Sequence, residues 1–395
     1  MGKLHVLITN NTLDRRAGTE LYVYDLAVEL LARGHQPIAY SNQLGEVARS
    51  LRDAGVPVTD NLDSLGFVPD IIHGHHHLEV MTALLHFPQT PAIYFCHSWK
   101  AWEEWPVRFP RIRRYLAMND ATYNRLTCEH GVPEEQVRWM LNFVDLARFK
   151  PRAPLPARPG RALVFSNYAT EEGFLPVIRD ACGRAGLPLD VIGIGVGNPC
   201  SQPWEVLGNY DLIFASGRSA LESLAVGAAV IVCNHFGLGP MVTAAELDWL
   251  RRVNFGHKST LRRPFDAEEA LRQIARYDAE DAAEVSRRIR DTAGLEATVD
   301  KLLGLYAEVI AEHRLAPPSP EAEQRATSAY LRQLSDRLKT YYQLWGSHDR
   351  LQESHAALQS QVDWMRRTVT WRWRQAIARA PVVAPLYRLA RQWFF

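Results

Sequence analysis

The strongest constraint on the fold is an alternation that runs twice through the chain. Residues 4–9 are a short apolar run that ends in Asn10, Asn11 and Thr12, the pattern of a buried strand entering a loop. Residues 19–33 follow with Leu21, Tyr24, Leu26, Leu30 and Leu31 at helical spacing, and Gly34-His35 stops them. A strand at 37–41, a helix at 46–54 and buried strands at 71–72 and 92–95 continue the series. Apolar runs separated by helices can bury both faces only as a parallel sheet covered by those helices, with sites at the strand carboxyl ends. The pattern pauses at 150–160 (KPRAPLPARPG), where four prolines in eleven residues mark a joint. It restarts with strands at 162–166, 189–193, 210–215 and 229–233, and helices at 174–185, 219–226, near 266–293 and 296–313. The expectation is an α/β chain of two doubly wound domains, 1–150 and 151–315.

A chain of 395 residues leaves room beyond two such domains. Pro317, Pro318 and Pro320 punctuate an expected linker at 316–329, and the composition changes from Tyr330. Leu331, Leu334, Leu338, Tyr341 and Trp345 alternate by three and four. After a skip, Leu351, His355, Leu358, Val362, Met365 and Val369 do the same. This is a coiled-coil period with one discontinuity, and it predicts self-association through 330–370; the alternative is a pair of helices packed on the body. The near-neutral total, 45 Lys and Arg against 44 Asp and Glu, conceals an asymmetry. Residues 323–395 carry 12 basic and 5 acidic side chains, a surplus of seven, and the rest is six negative.

No acidic residue follows Asp363. The last 32 positions hold seven arginines and four tryptophans, and Leu386, Leu389, Ala390, Trp393 and Phe394 share one helical face. A basic helix with interfacial aromatics suits an anionic leaflet, so 364–395 is expected to associate with a membrane surface; the alternative is a helix docked on an acidic groove. The short apolar run at the N-terminus does not make a signal peptide, and no stretch reaches the ~20 apolar residues of a spanning helix. Five scattered cysteines without CxxC suggest a reducing compartment and no disulfide framework. The expected location is cytoplasmic, at the inner face of the cell membrane. The charge balance gives no reason to expect nucleic acid.

Three loops carry candidate chemistry. Ala17-Gly18 precedes a helix with Glu20 in its first turn, and glycine there lets a phosphate approach free N–H groups. At 216–227 (SGRSALESLAVG) a strand delivers a sharp turn at Gly217, and Arg218, Ser219 and the N–H groups of a helix starting near Ser219 could hold a diphosphate. Glu222, one turn on, could accept both hydroxyls of a ribose. The competing reading makes Ser219 an N-cap and Glu222 the far side of a capping box, which leaves Arg218 unexplained. Third, Gly237 and Gly239 follow the strand at 229–233 and would permit close backbone approach from the same side as Gly217.

Read with their neighbours, these loops resemble the GT-B glycosyltransferases, specifically the family 4-like retaining enzymes. The stretch AGTELYVYDLAVELLARGHQPIAYS resembles the family's opening through Gly18, Glu20, Leu26-Ala27 and Gly34-His35. PDIIHGHH is similar to its D-V-I-H-x-H segment. GVPEEQVRWMLNFVDLARFKP resembles its inter-domain signature through Asn142, Val144, Asp145, Arg148, Phe149 and Pro151, and 214–239 resembles its donor-site segment. The resemblance covers about 1–310. It implies two Rossmann-like domains facing across a cleft, with the acceptor in the first and a nucleotide-sugar donor, such as a UDP- or GDP-sugar, held by the second through Asn142, Gly217, Arg218, Ser219, Glu222, Gly237 and Gly239. It further implies that Glu222 takes the ribose, that Gly18 approaches the diphosphate or sugar, that His97 lies near the reacting sugar, and that no metal or other cofactor is used.

Two departures from the family pattern stand out. The first glutamate of E-x7-E falls at Phe214. The basic diphosphate clamp falls at 166–173, which holds no cation, and Arg218 is the candidate substitute.

Two clusters near His97 need their own account. His73, His75, His76 and His77 lack a regular ligand spacing and a nearby cysteine, so hydrogen bonding in the cleft or to the acceptor is preferred over zinc. Trp99, Trp102, Glu103, Glu104, Trp105, Arg108, Arg111, Arg113 and Arg114 are expected to form an acceptor surface, against the plainer reading of a surface helix. The function expected is transfer of a sugar to a glycan or lipid-linked acceptor in cell-surface polysaccharide synthesis. The alternatives are a GT-B nucleotide-sugar epimerase and a non-catalytic GT-B scaffold acting through its coiled coil.

Overall fold

The computed structural model describes residues 2–256, 265–368, 372, 373 and 376. The first half builds β1 (His5–Thr9), α1 (Gly18–Ala32), β2 (Gln36–Tyr40), α2 (Glu46–Asp53), β3 (Val58–Thr59), β4 (Ile71–His75), α3 (His77–His86), β5 (Ala92–Cys96), β6 (Ile112–Ala117), α4 (Asp120–Asn124) and β7 (Val137–Trp139). Its seven strands run in the order β3-β2-β1-β4-β5-β6-β7, every pairing parallel. β4 and β5 are buried at all ten positions because helices cover both faces of the sheet.

The second half builds β8 (Ala162–Phe165), α5 (Leu175–Arg184), β9 (Leu189–Ile192), α6 (Pro203–Val206), β10 (Leu212–Ala215), α7 (Gly217–Val226), β11 (Ala229–Asn234), β12 (Gly237–Met241), α8 (Leu247–Arg252), α9 (Ala267–Ile274) and α10 (Ala279–Thr292). The sheet order is β12-β11-β10-β8-β9. β8 to β11 are parallel, and β12 runs antiparallel on the edge. The expected loop at Gly237–Gly239 is therefore a strand. His235 and Phe236 make the turn, and Pro240 is tolerated because an edge strand leaves its missing N–H unchallenged.

α11 (Leu295–Leu315) corrects the expected boundary at 315. Its Val299, Leu302, Tyr306 and Val309 sit in one core with Val6, Ile8, Val23, Leu26 and Leu30. Arg114 of β6 ion-pairs with Glu308 and Glu312, and the Arg33 guanidinium donates to the Glu296 carbonyl at 2.8 Å. The chain thus returns after α10 to close the first domain, which is built from the N-terminal strands plus 295–315.

α12 (Pro320–Arg367) is one continuous helix of 48 residues, about 72 Å at 1.5 Å per residue. Only residues 316–319 separate it from α11, so helix covers 320–329 of the expected linker. It does not break where the heptad skips between Trp345 and Leu351. Leu331, Leu338, Tyr341, Trp345, Leu351 and Leu358 are all exposed. The chain divides into two compact units, Met1–Glu323 and Gln324–Phe395. The amphipathic segment around Leu386–Phe394 lies outside the described residues. Among the described residues no helix is long and apolar enough to cross a membrane.

Candidate active site

The site is built where β10 hands over to α7. One residue, Ser216, separates Ala215 from Gly217. So tight a reversal needs φ of +57° at Gly217, a left-handed conformation that glycine adopts without penalty, and the Gly217 N–H donates to the Phe255 carbonyl at 3.2 Å. The helix therefore begins two residues before Ser219. Ser216 is the N-cap, and the Ser219 carbonyl accepts from the Ser223 hydroxyl at 2.7 Å. The capping box does not form, because Glu222 lies beyond the first turn. Phe214 is fully buried inside β10. Its ring packs in the core with Val164, Leu175 and Ile178, and so does not reach a ligand.

Glu222 is 6% exposed, and its Oε1 accepts from Arg218 Nε at 2.7 Å. The same guanidinium reaches across to Asp25 in α1 of the first domain, a carboxylate that is 1% exposed. Arg148 Nη1 joins Asp25 at 3.2 Å and its Nε meets Asp145 at 2.8 Å. Burial alone would lower the Arg218 pKa; Asp25 and Glu222 outweigh it and hold it above the usual value. Burial pushes the Glu222 carboxyl up, against the pull of Arg218. The result is a buried network of three carboxylates and two guanidinium groups that ties the domains together at the floor of the cleft. Asp25 was not singled out in the sequence; a carboxylate between Tyr24 and Leu26 gives no local sign of the arginine it meets.

A second strand of the site runs through Asn142. Its Nδ2 donates to Asn254 Oδ1 at 3.0 Å, and its carbonyl accepts from Arg251 Nη1 at 3.2 Å. Asn254 and Phe255 both have positive φ, +53° and +47°. Asn254 Nδ2 lies 3.8 Å from where a Cβ on Gly217 would stand.

On the facing domain, α1 starts at Gly18 after an extended Ala17 N-cap that has no side-chain cap, and a Cβ on Gly18 would meet nothing within 4 Å. The protein's own packing does not demand glycine there. His97 follows β5. Its Nε2 shares a 2.6 Å hydrogen bond with His75 Nδ1, its ring stacks on Phe95 at 4.3 Å, and its backbone N–H donates to Glu104 Oε2 at 2.9 Å. Burial lowers its pKa to about 4, with Glu104 opposing, so the ring is neutral at neutral pH. His73 bonds the Tyr306 hydroxyl at 2.5 Å and is lowered to about 3 by burial.

The four clustered histidines are therefore interior groups and do not face the cleft. His73 and His75 are sealed under α1 and α11, His76 lies 3.4 Å from Glu104, and His77 packs edge-on against Trp102. Among the described residues no group of three or more His, Cys, Asp or Glu is disposed to hold a metal.

Two further expectations are corrected. The tryptophan- and arginine-rich stretch is neither a helix nor wholly a surface. Arg111 and Arg114 are buried and bonded to the body, Glu104 and Trp105 are buried, and Trp99, Trp102 and Arg108 are exposed. Gly237 and Gly239 are buried in β12. What the carboxyl edge of that sheet presents is the His235-Phe236 turn, with the exposed ring of Tyr168 at 4.9 Å from His235. The loop at 166–173 carries no cation, and it is pressed onto Gly193, whose Cβ would stand 1.9 Å from the Ser166 carbonyl oxygen.

Two Rossmann-like domains with opposed carboxyl edges define the GT-B class. Solved structures agree on the fold. A glycosyltransferase from Rickettsia africae superposes with a TM-score of 0.59 at 14% identity over 78% of this chain and 99% of its own. Anabaena HepE, solved with UDP and glucose, gives 0.56 at 14% identity over 77% and 100%, and its UDP-glucose complex gives 0.55 at 14% over 78% and 100%. The model of the family described as Glycosyltransferase Family 4 matches residues 64–148, from the approach to β4 through β7 and the inter-domain signature. No curated protein sequence matches the chain. Fold and matched segment together support a GT-B glycosyltransferase of the family 4 type.

Proposed function

We propose that the protein is a retaining glycosyltransferase that moves a sugar from a nucleotide sugar to a glycan or lipid-linked acceptor in cell-surface polysaccharide synthesis. The observation that carries the reading is Glu222. Its Oε1 is occupied by Arg218, while Oε2 has no hydrogen-bond partner among the described residues, so a ribose hydroxyl has an acceptor beside the N-terminus of α7. HepE, of the same fold, has been solved with UDP-glucose, which supports a nucleotide-sugar donor.

The chemistry needs the leaving diphosphate stabilised as the sugar acquires oxocarbenium character. The N–H groups and dipole of α7 together with Arg218 supply that stabilisation. His97, neutral and fixed by His75, serves as a hydrogen-bonding partner for the sugar rather than as an acid. Retention follows the family 4 resemblance. Trp99, Trp102 and Arg108 are the acceptor-side groups. Glu222→Ala is expected to weaken the preferred nucleotide among UDP, GDP and dTDP by at least about tenfold, the scale of a lost charge-assisted hydrogen bond; unchanged affinity in calorimetry would remove the site assignment. The scaffold alternative draws on the core position of Phe214 and predicts no nucleotide binding at all.

The C-terminal unit is proposed to place the enzyme. The apolar seam of α12 pairs with a second copy, and the carboxylate-free segment 364–395 binds the anionic inner leaflet. Removing 364–395 is expected to release the protein from vesicles containing anionic lipid, and removing 331–395 to lower its oligomeric state by light scattering. A 1–363 chain that still sediments with those vesicles refutes the membrane role.

A further inference from the structure

The turn between β4 and α3 is strained. His76, its single residue, has φ of +62° and ψ of +133°, a backbone conformation that residues with a side chain rarely adopt. Glycine would make that turn without penalty, as Gly217 does before α7. Strain of this kind persists only where the surroundings enforce it, so the imidazole has a use that glycine could not serve.

That ring is 4% exposed and joins two loops at the carboxyl edge of the first sheet. The Asn11 N–H, in the loop after β1, donates to His76 Nδ1 at 3.0 Å, so the neutral ring carries its proton on Nε2. Nε2 lies 3.4 Å from Glu104 Oε1, in the loop after β5. The other oxygen of Glu104 accepts the backbone N–H of His97 at 2.9 Å. Glu104 is 2% exposed, so its carboxylate is served from inside the protein, by these two groups. The His77 N–H donates to the Glu103 carbonyl at 2.9 Å and ties the same two loops through the main chain. From the far side Arg125 donates to the carbonyls of Ser98 at 2.6 Å and Ala101 at 2.9 Å. Two neighbouring residues at the end of β4 thus hold His97: His75 bonds its ring, and His76 holds its main chain through Glu104. The contact with Asn11 also anchors the loop that leads into Gly18 at the start of α1.

We propose that His76 is a positioning residue of the transfer reaction: through Glu104 it sets the main chain of His97, and through Asn11 the loop entering α1, so that the His97 ring meets the reacting sugar. The inference rests on the place given to His97 under the proposed function. The test follows hydrolysis of UDP-, GDP- and dTDP-glucose by the full chain, with water as the acceptor. His76→Gly removes the imidazole and relieves the turn, so it keeps the fold. Its kcat for the preferred nucleotide sugar is expected to fall at least about tenfold, with KM and the affinity for the nucleoside diphosphate within about twofold of wild type. Glu104→Gln keeps an acceptor for the His97 N–H and removes the charge facing His76; its loss of kcat is expected to be smaller. In hydrogen-exchange mass spectrometry, peptides holding Asn11 and His97 are expected to exchange faster in His76→Gly, and those of β8, β10 and β11 at the wild-type rate. Wild-type turnover in His76→Gly overturns the proposal and leaves the nucleotide-sugar reading intact, as does unchanged exchange at Asn11 and His97. A parallel loss of nucleoside diphosphate affinity makes His76 a structural residue and overturns it too. Undiminished turnover in His97→Ala leaves His76 nothing to position and overturns it while the donor site stands. Wild type that hydrolyses none of the three sugars overturns the proposal; if it also binds no nucleoside diphosphate, the nucleotide-sugar reading falls with it.

Discussion

Arg218→Ala is expected to lower stability by about 3 kcal/mol and to abolish measurable nucleotide binding, and adding Asp25→Asn is expected to restore part of the first loss and none of the second. Removing one partner of a buried pair costs roughly 3–5 kcal/mol because the other charge is left without compensation. Two buried carboxylates lose a partner here, Glu222 at 6% and Asp25 at 1% exposure. The lower end of the range is chosen because Arg148 still holds Asp25 at 3.2 Å. In the double variant the inward charge on α1 disappears, so the penalty shrinks, while the diphosphate still lacks its guanidinium. Denaturant melts read the stability, and calorimetry with the preferred nucleoside diphosphate reads the site. A double variant that recovers nucleotide affinity along with stability would show that Arg218 serves only to fasten the domains.

The parts of the fold that were legible in the sequence are those whose signal is local. The alternation of short apolar runs with helices of period 3.6 located β1, α1, β8 and α7 to within a few residues. The destination of a helix is not a local property. Leu295–Leu315 reads as an ordinary amphipathic helix at the end of the second half, and nothing in its period says that it covers the first sheet. Gly237–Pro240 reads as a loop because glycine and proline usually break strands, but an edge strand leaves one row of N–H groups without a ladder partner and so tolerates proline.

The candidate site divides the same way. Gly217, Arg218 and Glu222 stand within six residues of one another, so a motif reveals them. Asp25 lies 193 residues from Arg218, and Asn142 lies 109 from Arg251. The partner that gives each its role is invisible until the chain folds. The partners of Arg111 and Arg114 are distant in the same way, since Glu323 neutralises the first and Glu308 and Glu312 the second from the far end of the sequence.

Arg111→Ala is expected to cost about 3–5 kcal/mol and to leave nucleotide affinity unchanged below the melting transition. Arg111 is 1% exposed, which is rare for an arginine, and four groups hold it there. Its guanidinium donates to the carbonyls of Phe87 and Thr90 at 2.7 Å each and to the carbonyl of Leu84, and its Nε pairs with Glu323 Oε1 at 2.8 Å. Leu84 and Phe87 stand at the C-terminus of α3, where carbonyls have no helical partner and a cation is favoured. Truncation to alanine therefore leaves three carbonyls and a carboxylate to find water in a closed core. Glu323→Gln is expected to cost only about 1 kcal/mol, because its side chain keeps 19% exposure and the carbonyls keep their donor. Arg111→Lys falls between the two, since an ammonium cannot reach the same four acceptors with planar geometry. Thermal melts should follow the order Ala, Lys, Gln from most to least destabilised; an alanine variant that melts with wild type would mean that the 295–323 return is held by α11 packing alone and that the buried guanidinium is dispensable.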